Sequence, residues 1–288
     1  MHGTSVVIEN TAIAERTFRL VVSVSEEVPP IAPGQFAMLR LPNRSDPLLG
    51  RPLAVYRQTR SARTTLLEFV YLVVGKMTAR LAEVRPNDRL EIWTPLGKGF
   101  KVDEVQRHIL VAGGIGQTPF LMLAEQYPNS TLLYGARTEA RIACMEDFDR
   151  IGIDIRIATD DGSRGHHGAV TELIPVAYRP GEPTKIIACG PKPMLQATFC
   201  IAKSLGLPCD VSLESPMSCG LGICFSCVVE YRSNENSEEW DYCRTCIDGP
   251  AFDAYRLKWD DPPHLERNRI DTTVFNCQQI KQIATDDP

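Results

Sequence analysis

The sequence predicts an antiparallel β-barrel, then an α/β domain built on a parallel sheet, then a small cysteine-rich module. Three observations indicate this order. Short strands rich in branched and aromatic residues recur up to about residue 100, at a spacing of roughly ten residues that is typical of barrels and sandwiches. Strands then alternate with helices, which indicates βαβ units. Finally, five of the ten cysteines fall between Cys219 and Cys246, a clustering that favours a metal site over scattered thiols.

Composition narrows the class of protein. The 288 residues are 43% hydrophobic and 23% charged, as in ordinary globular chains of about two domains. A net charge of −5 without a basic stretch argues against a nucleic-acid partner. No apolar run reaches the length of a membrane span, and Glu9, Glu15 and Arg16 lie where a signal peptide would be apolar. We expect a cytoplasmic protein with reduced thiols.

The barrel is predicted over residues 1–102. Its turns carry Pro, Gly, Asp and Asn, as in PPIAPG, PNRSDP and RPND, and these residues favour chain reversal. A single short helix is predicted near Met77 to Val84, where TARLAEV has helical spacing. The predicted strands are SVVIENTAIA, FRLVVSV, FAMLRL, LAVYR, TTLLEFVYLVV and RLEIWTP.

The α/β domain is predicted over residues 103–208. Its strands are HILVAGG, TLLYGAR, DIRIATDDG and KIIACGP. Its helices are TPFLMLAEQY, EARIACMEDFDRI, residues 169–176 and PMLQATFCIAKSLG. Alternation of this kind produces a parallel sheet with helices on its faces. At the other end of the chain, residues 260–288 are polar and begin with prolines, and we interpret them as a C-terminal extension with weak structure.

The cysteine module is predicted over residues 209–259. Cys219, Cys224 and Cys227 have the spacing C-x4-C-x2-C of plant-type [2Fe–2S] proteins, in which four thiolates hold two irons. Gly220 and Gly222 lie inside this loop, where residues without Cβ allow tight turns and N–H contacts to sulfur. The spacing therefore predicts an iron–sulfur loop.

Two alternatives stay open for this module. A structural zinc site could use Cys227 or Cys224 with the C-x2-C pair Cys243 and Cys246, in which case the module would serve a non-enzymatic interaction role. Within the iron–sulfur reading, the fourth ligand is Cys243 or Cys246, and spacing does not choose between them.

Two glycine-bearing loops indicate nucleotide binding. LVAGGIGQTPF is a strand, a glycine turn and a helix start, an arrangement that presents N–H groups to phosphate, although it is not the G-x-G-x-x-G fingerprint. ACGPKPM again has Gly and Pro where a parallel strand ends. Ligands of open α/β sheets bind outside the carboxyl ends of strands, so these loops and ATDDGS predict a nucleotide site.

Two segments of the barrel could hold phosphate. In RPLAVY, Arg51 sits beside a rigid strand entry, and in VGKMT, Gly75 and Thr78 begin the predicted helix. A glycine and a hydroxyl at a helix start suit a phosphate. A lone arginine on a strand is more often a solvated charge. The presence of both segments strengthens the interpretation of each as a phosphate-binding segment.

In order along the chain, these motifs resemble the ferredoxin–NADP reductase superfamily, and within it the electron-transfer subunits of type B dihydroorotate dehydrogenase. The resemblance covers about residues 5–258. It is carried by RPLAVY, YLVVGKMT, PLGKGF, VAGGIGQTP, TDDGSRGHHG, ACGPKPM, SCGLGICFSC and CIDGPAFDA. The resemblance implies that the barrel holds FAD, that the α/β domain binds NAD(H), and that the last module carries a [2Fe–2S] cluster.

Carried over to matching positions, the resemblance implies that Arg51 pairs with the FAD diphosphate. The other implied FAD positions are Pro52, Leu53, Ala54, Val55, Tyr56, Val74, Gly75, Lys76 and Thr78. The implied nicotinamide-nucleotide positions are Gly113, Gly114, Gly116, Thr118, Asp160, Asp161, Cys189, Gly190 and Pro191. The two aspartates either contact the ribose or cap a turn. In CIDGP the fourth cluster ligand matches Cys246, which completes Cys219, Cys224 and Cys227.

Two positions depart from the superfamily pattern. Many members carry Ser or Thr at the position of Ala54, where a hydroxyl can hydrogen-bond the flavin, and many carry an aromatic at the position of Leu53. We expect any hydrogen bond to flavin N5 to come from backbone or another side chain.

The implied function is an electron relay between NAD(H), FAD and the [2Fe–2S] cluster, serving an FMN-containing catalytic subunit that oxidises dihydroorotate in pyrimidine biosynthesis. The cofactors carry the chemistry, so no catalytic side chain is predicted. Subunits of ferredoxin-dependent NADP transhydrogenases and of sulfide dehydrogenases are similar and form the alternative. The sequence leaves NAD versus NADP open: Arg137 follows a strand, where it could meet a 2′-phosphate or equally be a solvated loop charge.

Overall fold

A computed structural model describes residues 2–25, 27–61, 64–101 and 107–259. The predicted extension 260–288 lies outside the described residues. Six strands close into an antiparallel barrel in the order β1-β2-β5-β4-β3-β6, with β1 pairing to both β2 and β6. These strands are β1 His2–Ala14, β2 Thr17–Val24, β3 Phe36–Arg40, β4 Arg51–Arg60, β5 Thr65–Leu72 and β6 Arg89–Leu96.

The barrel strands turn alternate residues into an apolar core. In β2, for example, Leu20, Val22 and Val24 are buried, whereas the residues between them are only partly so, as strand periodicity requires. Helix α1, Lys76–Leu81, covers the barrel, with Met77 and Leu81 buried in its core. The predicted barrel and its single helix are confirmed.

The second sheet has seven strands in the order β10-β9-β8-β7-β11-β12-β15. All pairs are parallel except β15, which runs antiparallel to β12. The strands are β7 Arg107–Gly113, β8 Ser130–Ala136, β9 Asp154–Thr159, β10 His166–His167, β11 Thr184–Cys189, β12 Cys209–Ser212 and β15 Ala251–Asp253. The helices that pack on it are α2 Phe120–Gln126, α3 Met145–Ile151, α4 Leu173–Ala177 and α5 Lys192–Leu205.

Local details of this sheet differ from the sequence prediction. EARIACMEDFDRI was expected to form one helix, but it forms a 3₁₀ turn at Glu139–Arg141 and then α3, because Cys144 adopts a left-handed conformation with φ 63° that no helix continues through. The helix expected at 169–176 is likewise divided into a 3₁₀ turn and α4. Strand β10 was not predicted, since two residues carry no periodicity.

The segment predicted as the cluster module contributes to two sheets. Strands β12 and β15 extend the nucleotide sheet, while β13 Val228–Arg232 and β14 Trp240–Arg244 form a separate hairpin. The domain boundaries at residues 102, 208 and 259 stay a prediction. Within the described residues, no helix is long and apolar enough to cross a membrane.

Candidate functional site

One large cleft is bordered by the barrel, the α/β sheet and the segment that leads into the cysteine loop. Its volume is about 1240 Å³, above the roughly 300–1,000 Å³ of ordinary small-molecule pockets. Predicted positions on its wall are Arg51, Pro52, Leu53, Ala54, Val74, Gly75, Thr78, Gly113, Gly114, Gly116, Thr118, Asp160, Cys189 and Pro191. The predicted FAD positions of the barrel and the predicted nucleotide positions of the sheet therefore line one cleft, which is large enough for an extended ligand.

The barrel wall of the cleft is the first half of β4. Arg51 is exposed there, and its Nη1 donates to the carbonyl oxygens of Leu49 (3.3 Å) and Gly50 (2.9 Å). Val55 and Tyr56, two predicted site residues on the same strand, are fully buried and do not line the cleft. Val55 belongs to the barrel core, and the Tyr56 hydroxyl donates a hydrogen bond to Asp147, as described below.

The loop before α1 is held in shape by its own threonine. Thr78 Oγ1 accepts hydrogen bonds from the N–H groups of Val74 (3.0 Å) and Gly75 (3.1 Å), and it donates to the Gly75 carbonyl (3.1 Å). Lys76, a further predicted position, points to the surface and forms an ion pair with Asp46. Val74, Gly75 and Thr78 thus form a shaped rim of the cleft, and Lys76 lies outside it.

The two nucleotide loops of the sheet pack backbone against backbone. β7 ends at Gly113 and a 3₁₀ turn follows at Gly114–Gln117. A Cβ on Gly116 would lie 2.0 Å from the Cys189 carbonyl oxygen, and a Cβ on Gly113 would lie 2.7 Å from Pro191 Cδ. Only glycine fits at these two positions, because the neighbours are backbone or a rigid ring. The glycines that the sequence analysis selected therefore allow the two loops to meet at the cleft.

Cys189 and Gly190 form the β11 side of this contact between the two loops. Cys189 lines the cleft at the end of β11, and burial raises the pKa of its thiol to about 12, so the group is neutral at physiological pH. Gly190 packs against the backbone of Gly113: a Cβ on Gly190 would lie 3.0 Å from Gly113 Cα. Gly190 does not line the cleft. Thr118 Oγ1 donates to the Ile115 carbonyl (2.6 Å), which closes the 3₁₀ turn.

The two aspartates of ATDDGS have different surroundings. Asp160 lines the cleft near Arg137. The Asp161 carboxylate instead accepts from the N–H (3.0 Å) and hydroxyl (2.6 Å) of Ser163, and these hydrogen bonds lower its pKa. Of the two roles that the sequence left open, Asp161 has the geometry of a turn cap, and Asp160 is placed for a ligand.

The four predicted cluster cysteines fall into two neighbouring pairs. Cys219 and Cys224 are partly exposed and exposed, respectively, whereas Cys227 and Cys246 are buried together in one hydrophobic cluster. Hydrogen bonding from Ser226 lowers the Cys224 pKa to about 6, whereas burial raises that of Cys246 to about 12. Two pairs of thiols suit a two-iron cluster, which takes two protein ligands on each iron.

The loop around these cysteines has the backbone that the sequence analysis expected. Gly220 and Gly222 have φ of 69° and 77°, and a Cβ on them would lie 2.5 Å from Met38 Cγ and 2.7 Å from Ile247 Cγ1. The Leu221 N–H donates to Cys219 Sγ at 3.3 Å. Cys243 lies apart on β14, where it packs against the core of the nucleotide sheet. In the part of the chain that the structure describes, no three His, Cys, Asp or Glu side chains surround a single metal position.

Glu214 is a cleft residue that the sequence analysis missed. It follows β12, next to Ser212 and close to Cys189. Its side chain is exposed to solvent in the cleft, but the protein atoms around it partly desolvate the carboxylate and raise its pKa. Its position just after a strand end of the sheet was the available signal, but β12 itself was not recognised as a strand.

We expect the Glu214→Gln variant to gain stability over the wild type as pH rises. A carboxyl with a raised folded-state pKa binds its proton more tightly when folded, so the wild type loses stability as pH rises from about 4.5, the ordinary glutamate value. Glutamine has no such proton. Denaturant unfolding of both proteins between pH 5 and pH 8 measures the difference, with exposed Glu146→Gln as control. A difference in unfolding free energy between the wild type and Glu214→Gln that stays constant with pH would contradict the raised pKa of Glu214.

The barrel, the nucleotide sheet and the cleft between them form a ferredoxin reductase-like fold, and comparison with known proteins defines the class as an NAD-linked oxidoreductase. The family model "Oxidoreductase NAD-binding domain" matches residues 110–199, and "Iron-sulfur cluster binding domain of dihydroorotate dehydrogenase B" matches residues 214–258. A solved NADH-dependent reduced ferredoxin-NADP oxidoreductase, studied for flavin-based electron bifurcation, superimposes with a TM-score of 0.75 at 27% identity, covering 88% of this chain and 90% of that one.

Curated relatives narrow the class to a family. The "Dihydroorotate dehydrogenase B (NAD(+)), electron transfer subunit" of Geobacillus thermodenitrificans is 37% identical over 86% of this chain and 95% of its own length. The protein of that name from Listeria monocytogenes is 34% identical, over 88% of this chain and 97% of its own length. The chain belongs to the family of dihydroorotate dehydrogenase B electron transfer subunits.

Proposed function

We propose that this chain relays electrons between NAD(H), FAD and a [2Fe–2S] cluster, and that it serves the FMN-containing catalytic subunit of a dihydroorotate dehydrogenase B. The observation that carries the proposal is the shared cleft. The β4 segment, the two glycine loops and the strand leading to the cysteine loop all border it, so groups bound there lie side by side. We place the protein in the cytoplasm, where cluster thiolates stay reduced.

The residues present fit these cofactors. A bound flavin exchanges two electrons with a nicotinamide and single electrons with an iron–sulfur cluster. Arg51 and the Gly75–Thr78 rim would hold its diphosphate, because a guanidinium fork and a glycine-bearing turn both suit phosphate oxygens. Gly113, Gly114 and Gly116 would let a nicotinamide nucleotide approach the backbone. The four cysteines would hold the cluster.

Two of the predicted cluster ligands are shielded from water by the barrel. Cys227 and Cys246 are about 2% and 1% exposed and pack with Phe36 and Met38 of β3. The thiols of Cys227 and Cys246 therefore lie against β3. Strand β3 pairs with β4, and β4 lines the flavin side of the cleft. This contact supports the proposal that the cluster lies next to the barrel.

Purified protein tests the proposal directly. We expect flavin and iron–sulfur absorption in the visible range, bleaching on addition of NADH, and reduction of NAD⁺ by dihydroorotate once the FMN-containing catalytic subunit is added. A colourless protein with stoichiometric zinc and no flavin would refute the proposal in favour of a zinc-bearing interaction module.

The reductase subunit of a ferredoxin-dependent NADP transhydrogenase is a second candidate, favoured by the TM-score of 0.75 to the reduced ferredoxin-NADP oxidoreductase. The same purified protein distinguishes the two. Electron flow from dihydroorotate through the catalytic subunit supports the first function. Flow between reduced ferredoxin and NADPH, without any response to dihydroorotate, supports the second.

We expect Arg51→Ala to lose FAD. Removing the guanidinium takes away a charge-assisted contact to phosphate, worth about 1.5–3 kcal/mol and hence roughly a tenfold to hundredfold weaker affinity. The measurement is the flavin-to-protein ratio after gel filtration, with Arg80→Ala as control because Arg80 pairs with Glu83 on the exposed face of α1. Equal flavin content in both variants would show that Arg51 is only a surface charge.

A further inference from the structure

Asp147 is a buried carboxylate at the contact between the α/β sheet and the barrel. It lies in the first turn of α3, and its side chain is only 3% exposed. Its Oδ2 accepts a hydrogen bond from the Tyr56 hydroxyl (2.8 Å) and a charged one from Arg19, both from barrel strands. Its Oδ1 accepts from Arg150 of its own helix at 3.0 Å. One carboxylate thus links β2, β4 and α3.

Further charges surround this link. Arg57 Nη1 lies 3.9 Å from Asp147 and from Glu68, and its Nη2 donates to Glu125 of α2 at 3.1 Å. Arg19 also lies 3.8 Å from Glu68. The guanidinium groups of Arg19 and Arg57 lie 5.3 and 6.0 Å from the Tyr56 ring centroid. Carboxylates from both sides of the contact therefore neutralise the two barrel arginines.

The network is connected to both walls of the cleft. Tyr56 lies two residues beyond Ala54 on β4, the strand that forms the barrel wall. Helix α2 follows the glycine loop, and α3 follows β8, whose end at residues 135–137 lines the cleft. A displacement of α3 relative to β4 would therefore change the separation between the flavin wall and the nucleotide wall.

A second contact restrains the same pair of domains. The Glu15 N–H donates to the Ala140 carbonyl at 2.8 Å, and the Glu15 carboxylate accepts from Arg141 at 3.1 Å. Glu15 lies in the turn between β1 and β2, and Arg141 lies shortly before α3. This contact is partly exposed, so salt and water weaken it. The Asp147 contact is buried and directional, and it is the stronger determinant of orientation.

We propose that Asp147 is a positioning residue for the relay: through Tyr56 and Arg19 it holds the nucleotide-binding domain at the distance from β4 that hydride transfer requires. This inference rests on the proposed function. A buried ion pair often adds little net stability, because desolvation offsets the attraction, whereas its fixed geometry is well suited to orientation. Hydride transfer is sensitive to such orientation, since a misplacement of about 1 Å reduces a rate about a hundredfold.

The test is single-turnover reduction of the flavin by NADH in Asp147→Asn, with FAD and cluster bound. Asparagine keeps the shape but removes the charge that Arg19 and Arg57 share. We expect a rate constant about tenfold lower and a weaker long-wavelength absorbance from nicotinamide stacked on flavin, whereas flavin content, cluster content and the dissociation constant for NADH stay at wild-type values. Glu146→Gln is the matched control, on the same helix with its side chain 91% exposed.

Tyr56→Phe provides a second route if Asp147→Asn does not fold. It removes one hydrogen bond to Asp147 and keeps the ring between the arginines, so we expect a smaller decrease of the same kind, and a non-additive double variant. A rate and absorbance in both variants equal to those of Glu146→Gln would overturn the inference. So would a decrease that only follows loss of flavin. If the wild-type flavin is not reduced by NADH, the proposed function fails as well.

Discussion

Replacing Cys246 by serine is expected to abolish the iron–sulfur cluster while leaving the flavin in place. Cys246 is about 1% exposed and faces Cys227 beside the apolar side chains of Phe36 and Met38. A serine hydroxyl there is a poor iron ligand because it remains protonated, and water cannot enter to replace the lost sulfur. Iron content and visible absorption measure the loss. NADH should still reduce the flavin, but electrons should not reach the partner subunit.

Cys243→Ser is the matched control for this prediction. Cys243 lies three residues away on β14 and packs against the nucleotide sheet rather than against Cys227. We expect this variant to keep its iron and its spectrum. Iron loss in Cys243→Ser with retention in Cys246→Ser would contradict the predicted set of four ligands and would reopen the choice that spacing alone leaves undecided.

Gly116→Ala is expected to have the second largest effect, on the nicotinamide side of the relay. The added Cβ would lie 2.0 Å from the oxygen and 2.5 Å from the carbon of the Cys189 carbonyl. Both are backbone atoms, so the glycine loop and the end of β11 must move apart. A shift of about 1 Å predicts flavin reduction by NADH that is roughly a hundredfold slower, and overpacking of about 1–3 kcal/mol predicts a lower unfolding midpoint.

Gly206→Ala separates the loss of rate from the loss of stability. Gly206 ends α5 with φ 68°, and a Cβ there would meet no atom within 4 Å. Its left-handed conformation makes alanine unfavourable by about 1–2 kcal/mol, so this variant should be destabilised without slower hydride transfer. If Gly116→Ala matches it in both measurements, the loop contact does not position the nucleotide.

Much of the fold could be predicted from the chain because its determinants are local. Alternation along strands such as β2, helical spacing in α1 and α5, and turn residues between them identify elements without knowledge of their partners. The elements that were not predicted correctly depend on contacts that local sequence does not show. Strands β12 and β15 are short and acquire their identity from neighbours in the sheet, and Cys144 interrupts a helix that local propensity favours.

The candidate site shows the same division. The glycines of VAGGIGQTP and ACGPKPM were identifiable because close backbone approach excludes other residues. In contrast, Val55 and Tyr56 belong to the same predicted flavin-binding motif, but their side chains are buried in the protein and do not line the cleft. A flavin contact through their backbone stays a prediction. The sequence analysis did not identify Glu214, whose importance depends on a cleft that only distant segments create.

By itself, the sequence determined the order of barrel, parallel sheet and cysteine loop, together with the cofactor-binding motifs, since each depends on residue types at fixed local spacing. The tertiary structure alone decided which of these residues face one another. Asp147, Tyr56 and Arg19 are far apart along the chain, and no local pattern indicates that their side chains meet. Their meeting depends on how two domains pack, because buried charges must find partners wherever the fold brings them together.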